Sequence, residues 1–161
     1  MPYDDRRNNS YGGGNRGGYN NRPQQRQPQQ QSVIAEIRPE AVPADYVDRA
    51  EEIMKELKDS RPAITTSKIR NLLSLVSDIY NVEKLRTEKE LTEESASKVG
   101  MMRVRTAYEA GRDPATKTFV EKAKLLQYLK GIGTNREDLI RFAHYMEALV
   151  AYHRYYGGRE G

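Results

Sequence analysis

The chain has 161 residues, 27 basic and 23 acidic side chains, a net charge of +4, and neither cysteine nor tryptophan. That length suits one domain, the missing cysteine excludes disulfide staples and thiolate zinc sites, and no apolar run approaches the ~20 residues of a bilayer crossing. The N-terminus lacks the apolar stretch of a secretion signal, so a cytoplasmic protein is expected.

Residues 1–31 hold five arginines against two aspartates and almost no aliphatic side chain; Asn, Gln, Gly and Pro fill the rest. Such a segment buries too little apolar surface to offset backbone ordering, and it is expected to be a disordered tail. Arg16-Gly17-Gly18-Tyr19 within it is one arginine–glycine repeat of the sort found in RNA-binding tails, set against the plainer reading of a solubilising tail. Residues 32–43 read as a linker, and residues 44–158 as the helical domain.

The first helix is expected over residues 44–58, with Val47, Ala50, Met54 and Leu57 inward, Ile53 beside them and Arg61-Pro62 beyond its end. The second follows the N-cap candidates Thr65 and Thr66 and runs to Tyr80, turning Ile69, Leu72, Leu73, Val76 and Ile79 inward. Thr87-x-x-Glu90 reads as a capping box opening a long third helix that stops at Gly111. Its core face is uneven, with Ser97, Gly100, Met101, Val104, Ala107, Tyr108 and Gly111, and the small residues there let another helix approach closely. A fourth helix is expected over residues 114–130, released at Gly131 and Gly133. The last runs over residues 135–156, from the capping box Thr134-x-x-Glu137 to Gly157. One stripe of it carries Leu139, Phe142, Ala143, Met146, Leu149, Val150, His153 and Tyr156. A second, behind Arg141, carries Tyr145, Ala148, Tyr152 and Tyr155. A helix apolar on both sides must be covered on both, and the outer stripe reads as the protein contact. No segment alternates as a strand does. The expected fold is all-α, a compact bundle of about five helices.

Catalytic groups are scarce. His144 and His153 stand nine positions apart on one helix and point to opposite sides, so they share no metal, and His153 on the core stripe reads as a satisfied core histidine. Glu51-Glu52 and Glu93-Glu94 diverge by ~100° and suit a solvated face rather than an acid/base pair. Residues 131–135 look like a phosphate loop but follow a helix and lack its Gly-Lys-Ser/Thr ending, so they read as an interhelical turn. No enzymatic activity, metal or cofactor is expected.

The charge is segregated instead. Residues 36–59 hold eight acids and four bases, whereas residues 61–70 hold Arg61, Lys68 and Arg70 with no acid. Residues 98–112 hold Lys98, Arg103, Arg105 and Arg112 against Glu109. Lys98, Arg105 and Arg112 are seven apart and line one helix edge, from which Arg103 projects away. Lys68 in a helix first turn opposes the helix dipole, which makes more sense if that end receives a phosphate. The competing reading of both patches is ordinary solvated surface.

Three blocks carry a resemblance: residues 65–73 (TTSKIRNLL), 103–113 (RVRTAYEAGRD) and 141–158 (RFAHYMEALVAYHRYYGG). In this order and spacing they resemble the small subunit of the type III-A (Csm) CRISPR effector complex, over about residues 44–158. The N-terminal tail departs from that family. The resemblance implies a helical bundle without enzymatic activity, stacked in several copies along the duplex of guide RNA and target RNA. Its neighbours there are the backbone subunits and the large signature subunit. It also implies target-RNA binding for antiviral defence through Lys68, Arg70, Arg103, Arg105 and Arg112, with Arg141 a weaker candidate; Lys98 is added by its edge alone. Reading phosphates rather than bases suits a subunit that must accept any target sequence. The alternative is a helical protein–protein adaptor without RNA binding of its own.

Overall fold

The computed structural model describes residues 36–161 and, before them, only residues 12–14 and 17–18; the tail expected at residues 1–31 otherwise lies outside the described residues. The described chain is all-helical: α1 Tyr46–Leu57, α2 Thr66–Glu83, α3 Glu93–Arg112, α4 Pro114–Lys122, α5 Leu125–Ile132 and α6 Arg136–Tyr155. The sixth helix arises because the stretch expected as one helix from 114 to 130 breaks at Lys124, whose φ is +55°. The break frees the Ala123 carbonyl to accept the Tyr145 hydroxyl at 2.9 Å.

The core is built on α6, which packs against α1, α2 and α5. Leu139, Phe142, Met146 and Leu149 are fully buried on one side and Tyr145 on another. Both stripes are therefore covered by the chain's own helices, and the outer stripe is not the free protein contact expected of it; of its members only Tyr155 stands out in solvent. The helix is capped by Asn135, whose Oδ1 accepts the Asp138 amide at 3.0 Å, and not by Thr134. The Thr134 carbonyl instead accepts the Leu91 amide at 2.8 Å. At the other end Gly157 takes φ +84°, as its glycine foretold.

Residues 89–91 are extended against residues 134–136, through Leu91 and through the Arg136 amide on the Lys89 carbonyl (2.8 Å). The third helix thus cannot open at Thr87. It opens after Thr92, whose Oγ1 accepts the Ser95 amide at 3.0 Å. Its register also differs from expectation. Ser95, Val99, Met102, Thr106 and Ala110 face α2, α4 and α5, while Met101, Val104 and Tyr108 are 64%, 59% and 61% exposed. Val47 of α1 is likewise exposed rather than inward.

Residues 36–42 lie along α5 and α6. Val42 is buried, the Glu40 amide donates to the Gln127 carbonyl (3.1 Å), and Lys130 Nζ donates to the Ile37 carbonyl (3.0 Å). Gly131 makes this possible, because a Cβ there would run into the Glu40 carbonyl oxygen. Gly131→Ala is expected to dislodge this segment and cost about 1–3 kcal/mol, the range of an overpacked site. Thermal or denaturant unfolding measures it, and unchanged stability would contradict the contact.

Candidate nucleic-acid interface

Thr65 caps α2, its Oγ1 accepting the Lys68 amide at 3.4 Å, and this fixes Lys68 in the first turn. From there Lys68 Nζ reaches Asp113 Oδ2 at 2.7 Å. Asp113 is also the N-cap of α4, accepting the Thr116 amide at 3.1 Å. Lys68 and Thr116 together lower its pKa to about 2, so the carboxylate is charged at any physiological pH. On α3, Glu109 receives Arg105 at 3.5 Å and Arg112 at 3.3 Å. One carboxylate thereby aims two guanidinium groups to the same side, and Arg112 also lies 5.8 Å from the Tyr108 ring centre.

Lys68, Arg105 and Arg112 consequently line one cleft of about 450 Å³ between α2 and α3. Asn71 and Ser74, which sequence reasoning missed, add an amide and a hydroxyl to its wall. Their signal was the spacing from Lys68, three and six residues along one helix face. All three cations are themselves about half exposed or more, and ion pairs of such surface groups are worth only ~0–1 kcal/mol. A phosphate entering the cleft replaces them at little cost.

The other expected residues do not join this cleft. Lys98 pairs with Glu94 (3.2 Å) and lines a second, adjoining groove. Arg103 lies on the opposite flank of α3, 200° around the helix from Arg105. Arg141 donates to the Val42 carbonyl at 3.3 Å and so fastens the N-terminal segment. Arg70 pairs with Glu160 at 3.1 Å. The α2 N-terminus is not the open phosphate site that a first-turn cation suggested. The carbonyls of Arg159 and Glu160 take the Thr66 and Ser67 amides, both at 2.7 Å, and fill it.

His153 is the core histidine expected. Its Nε2 donates to the Ile64 carbonyl at 3.0 Å, so Nδ1 accepts the Thr66 hydroxyl at 2.9 Å. Burial, chiefly, pushes its pKa below the ordinary value, helped by the Arg154 charge and opposed by the Ile64 carbonyl. The unfolded chain therefore takes up a proton below about pH 6.5 that the folded chain refuses. Stability should be full above that pH and fall as acid is added toward the folded pKa. Denaturant midpoints at about pH 7.5 and about pH 5.5 test this. The midpoint should drop at the lower pH, and the drop should shrink in His153→Gln.

Fold and cleft define a small all-helical protein with three cations converging between two helices. The comparisons agree on its family. The profile of Csm2 Type III-A matches residues 40–159. The Csm2 protein of the CRISPR system of Streptococcus thermophilus is 46% identical over 119 residues, covering 72% of this chain and 94% of the relative. Csm2 of Mycobacterium tuberculosis (strain ATCC 25618 / H37Rv) is 43% identical over 113 residues, covering 69% and 90%. Csm2 of Enterococcus italicus is 32% identical over 128 residues, covering 73% and 91%. The chain belongs to the type III-A Csm2 family, the small subunit of the Csm complex.

Proposed function

We propose that this chain is the non-catalytic small subunit of a cytoplasmic type III-A CRISPR effector. Several copies stack along the guide–target RNA duplex, beside backbone subunits and the large signature subunit, and hold target phosphates irrespective of sequence. The observation that carries this reading is the convergence of Lys68, Arg105 and Arg112 on one cleft. A lysine from one helix and two arginines from the next present point and forked donors to consecutive phosphates, the kind of contact that positions nucleic acid without reading bases. A body with separate basic and acidic segments supports stacking, since uniform positive charge would oppose it. Both histidines are engaged in the fold, His153 with Thr66 and Ile64 and His144 with Tyr80 (3.3 Å), which supports a binding role.

Native mass spectrometry of the chain on RNA duplexes of increasing length tests the proposal. The number of bound copies should rise stepwise with length, and the RNA should stay intact. A single copy at every length, or cleavage by the purified chain, would overturn it.

A further inference from the structure

The end of α1, the connection from it to α2 and the residues after α6 enclose a pocket of about 310 Å³ that shares no residue with the cationic cleft. Three contacts build it. The Ile64 carbonyl accepts His153 Nε2 at 3.0 Å, which holds the connection against α6. The Arg159 carbonyl accepts the Thr66 amide at 2.7 Å, which lays the C-terminal segment along the same connection. Gly158 lets that segment pass directly over His153, because a side-chain carbon there would run into the imidazole ring. Buried Met54, Leu57 and Ile64 give the pocket an apolar side, and Tyr156 stands beside them.

Lys58, Arg61 and Arg159 line the same pocket, and no carboxylate does. Among the described residues none of the three pairs with an acid. Glu51 is held by Lys55 (3.2 Å) and by the Tyr156 hydroxyl (2.9 Å), and Glu160 by Arg70 and Arg154 (3.1 Å each). Asp59, beside Lys58 in sequence, is exposed and outside the wall. Arg61 spends only Nη1, on the Lys58 and Ser60 carbonyls at 3.3 and 2.8 Å. The cleft differs in this respect, since Lys68, Arg105 and Arg112 each have a carboxylate partner. A concavity lined by one sign of charge over low-dielectric walls focuses the field and concentrates an ion of opposite sign. A carboxylate offers one charge and two oxygens. A terminal phosphate offers about two charges and three oxygens, and so answers two guanidinium forks and an ammonium more fully. The volume is at the lower end of small-ligand sites, and the apolar side suits the organic part of a phosphate ester.

We infer that this pocket binds a phosphate group through Lys58, Arg61 and Arg159, carried either by a phosphorylated small molecule or by an RNA strand. The site shares no residue with the cleft, so it stands or falls separately from phosphate binding there.

Isothermal titration of pyrophosphate into the full chain at fixed ionic strength tests this, with malonate as the dicarboxylate control. Lys58→Gln combined with Arg159→Gln is the variant of choice, because the fold uses neither side chain for an ion pair or hydrogen bond among the described residues. Pyrophosphate should bind the parent chain and lose about 100-fold in this variant, roughly tenfold for each charge-assisted contact. Arg105→Gln combined with Arg112→Gln should leave that affinity unchanged. A second arm names the source of the phosphate. Random-sequence RNA that displaces pyrophosphate, and that binds the Lys58/Arg159 variant more weakly, identifies a strand phosphate. RNA and pyrophosphate bound together identify a small phosphorylated ligand. No pyrophosphate binding, or equal losses in the two double variants, would overturn the site. Malonate bound as tightly as pyrophosphate would refute phosphate in favour of an acidic peptide.

Discussion

Arg105→Glu combined with Arg112→Glu is expected to weaken binding to random-sequence RNA by about 100-fold while leaving the helical fold intact. Each substitution removes one phosphate contact and adds a repulsive charge where the phosphate would lie. Within the chain the cost is small. Both arginines pair only with Glu109 at an exposed helix surface, and the like charges created at three- and four-residue spacing cost a few tenths of a kcal/mol each. Circular dichroism and a filter-binding series measure the two effects separately. Retained binding with a native spectrum would remove these arginines from the interface. Arg103→Glu, on the other flank of α3, is the matched control and should leave the affinity for a single strand nearly unchanged.

The largest effect on stability is expected at Glu83. Its side chain is fully buried, accepting Arg86 Nη1 at 2.7 Å and the Thr92 amide at 3.2 Å. Burial by itself would raise the pKa of this carboxyl. The Ser95 hydroxyl, Arg86 and the Thr92 amide outweigh burial, and the group remains ionised. Arg136 Nη1 donates to the Glu83 backbone carbonyl at 3.0 Å, so the same point ties α2, the α2–α3 turn and α6 together. Glu83→Ala takes the buried partner from Arg86, which keeps only the exposed Glu88 at 3.5 Å, and leaves the Thr92 amide without its acceptor; it is expected to cost about 3 kcal/mol. Chemical denaturation measures it, and a loss under ~1 kcal/mol would show that water replaces the carboxylate.

Several parts of this molecule were legible in its residues, and the exceptions have identifiable causes. The last helix was readable because it carries side chains of one kind on two faces and ends at a glycine that takes positive φ. The edge of Lys98, Arg105 and Arg112 followed from seven-residue spacing, but only the fold could show that Lys68 comes to Arg105 and Arg112 while Lys98 turns to the next groove. The face of α3 was misread because hydrophobicity does not say who does the covering. Met101, Val104 and Tyr108 look like core, whereas the chain buries Ser95 and Thr106 together with Val99, Met102 and Ala110. Thr87 carries the capping-box pattern, yet the helix opens after Thr92 because residues 89–91 pair with residues 134–136, a contact across more than 40 positions of sequence. The break at Lys124 has no glycine or proline to announce it. It is held by a hydroxyl from Tyr145, two helices away.

The most direct test of sequence-independent phosphate binding is the affinity of the compact unit, residues 35–161, for random-sequence single-stranded RNA across a salt series, beside the full chain. If Lys68, Arg105 and Arg112 each neutralise one phosphate, the logarithm of the binding constant should fall against the logarithm of salt with a slope of about −2. That slope should persist without residues 1–34 and be the same for RNAs of unrelated sequence. Binding that disappears with those residues, or that shows no salt dependence, would contradict the account and leave the helical body an adaptor.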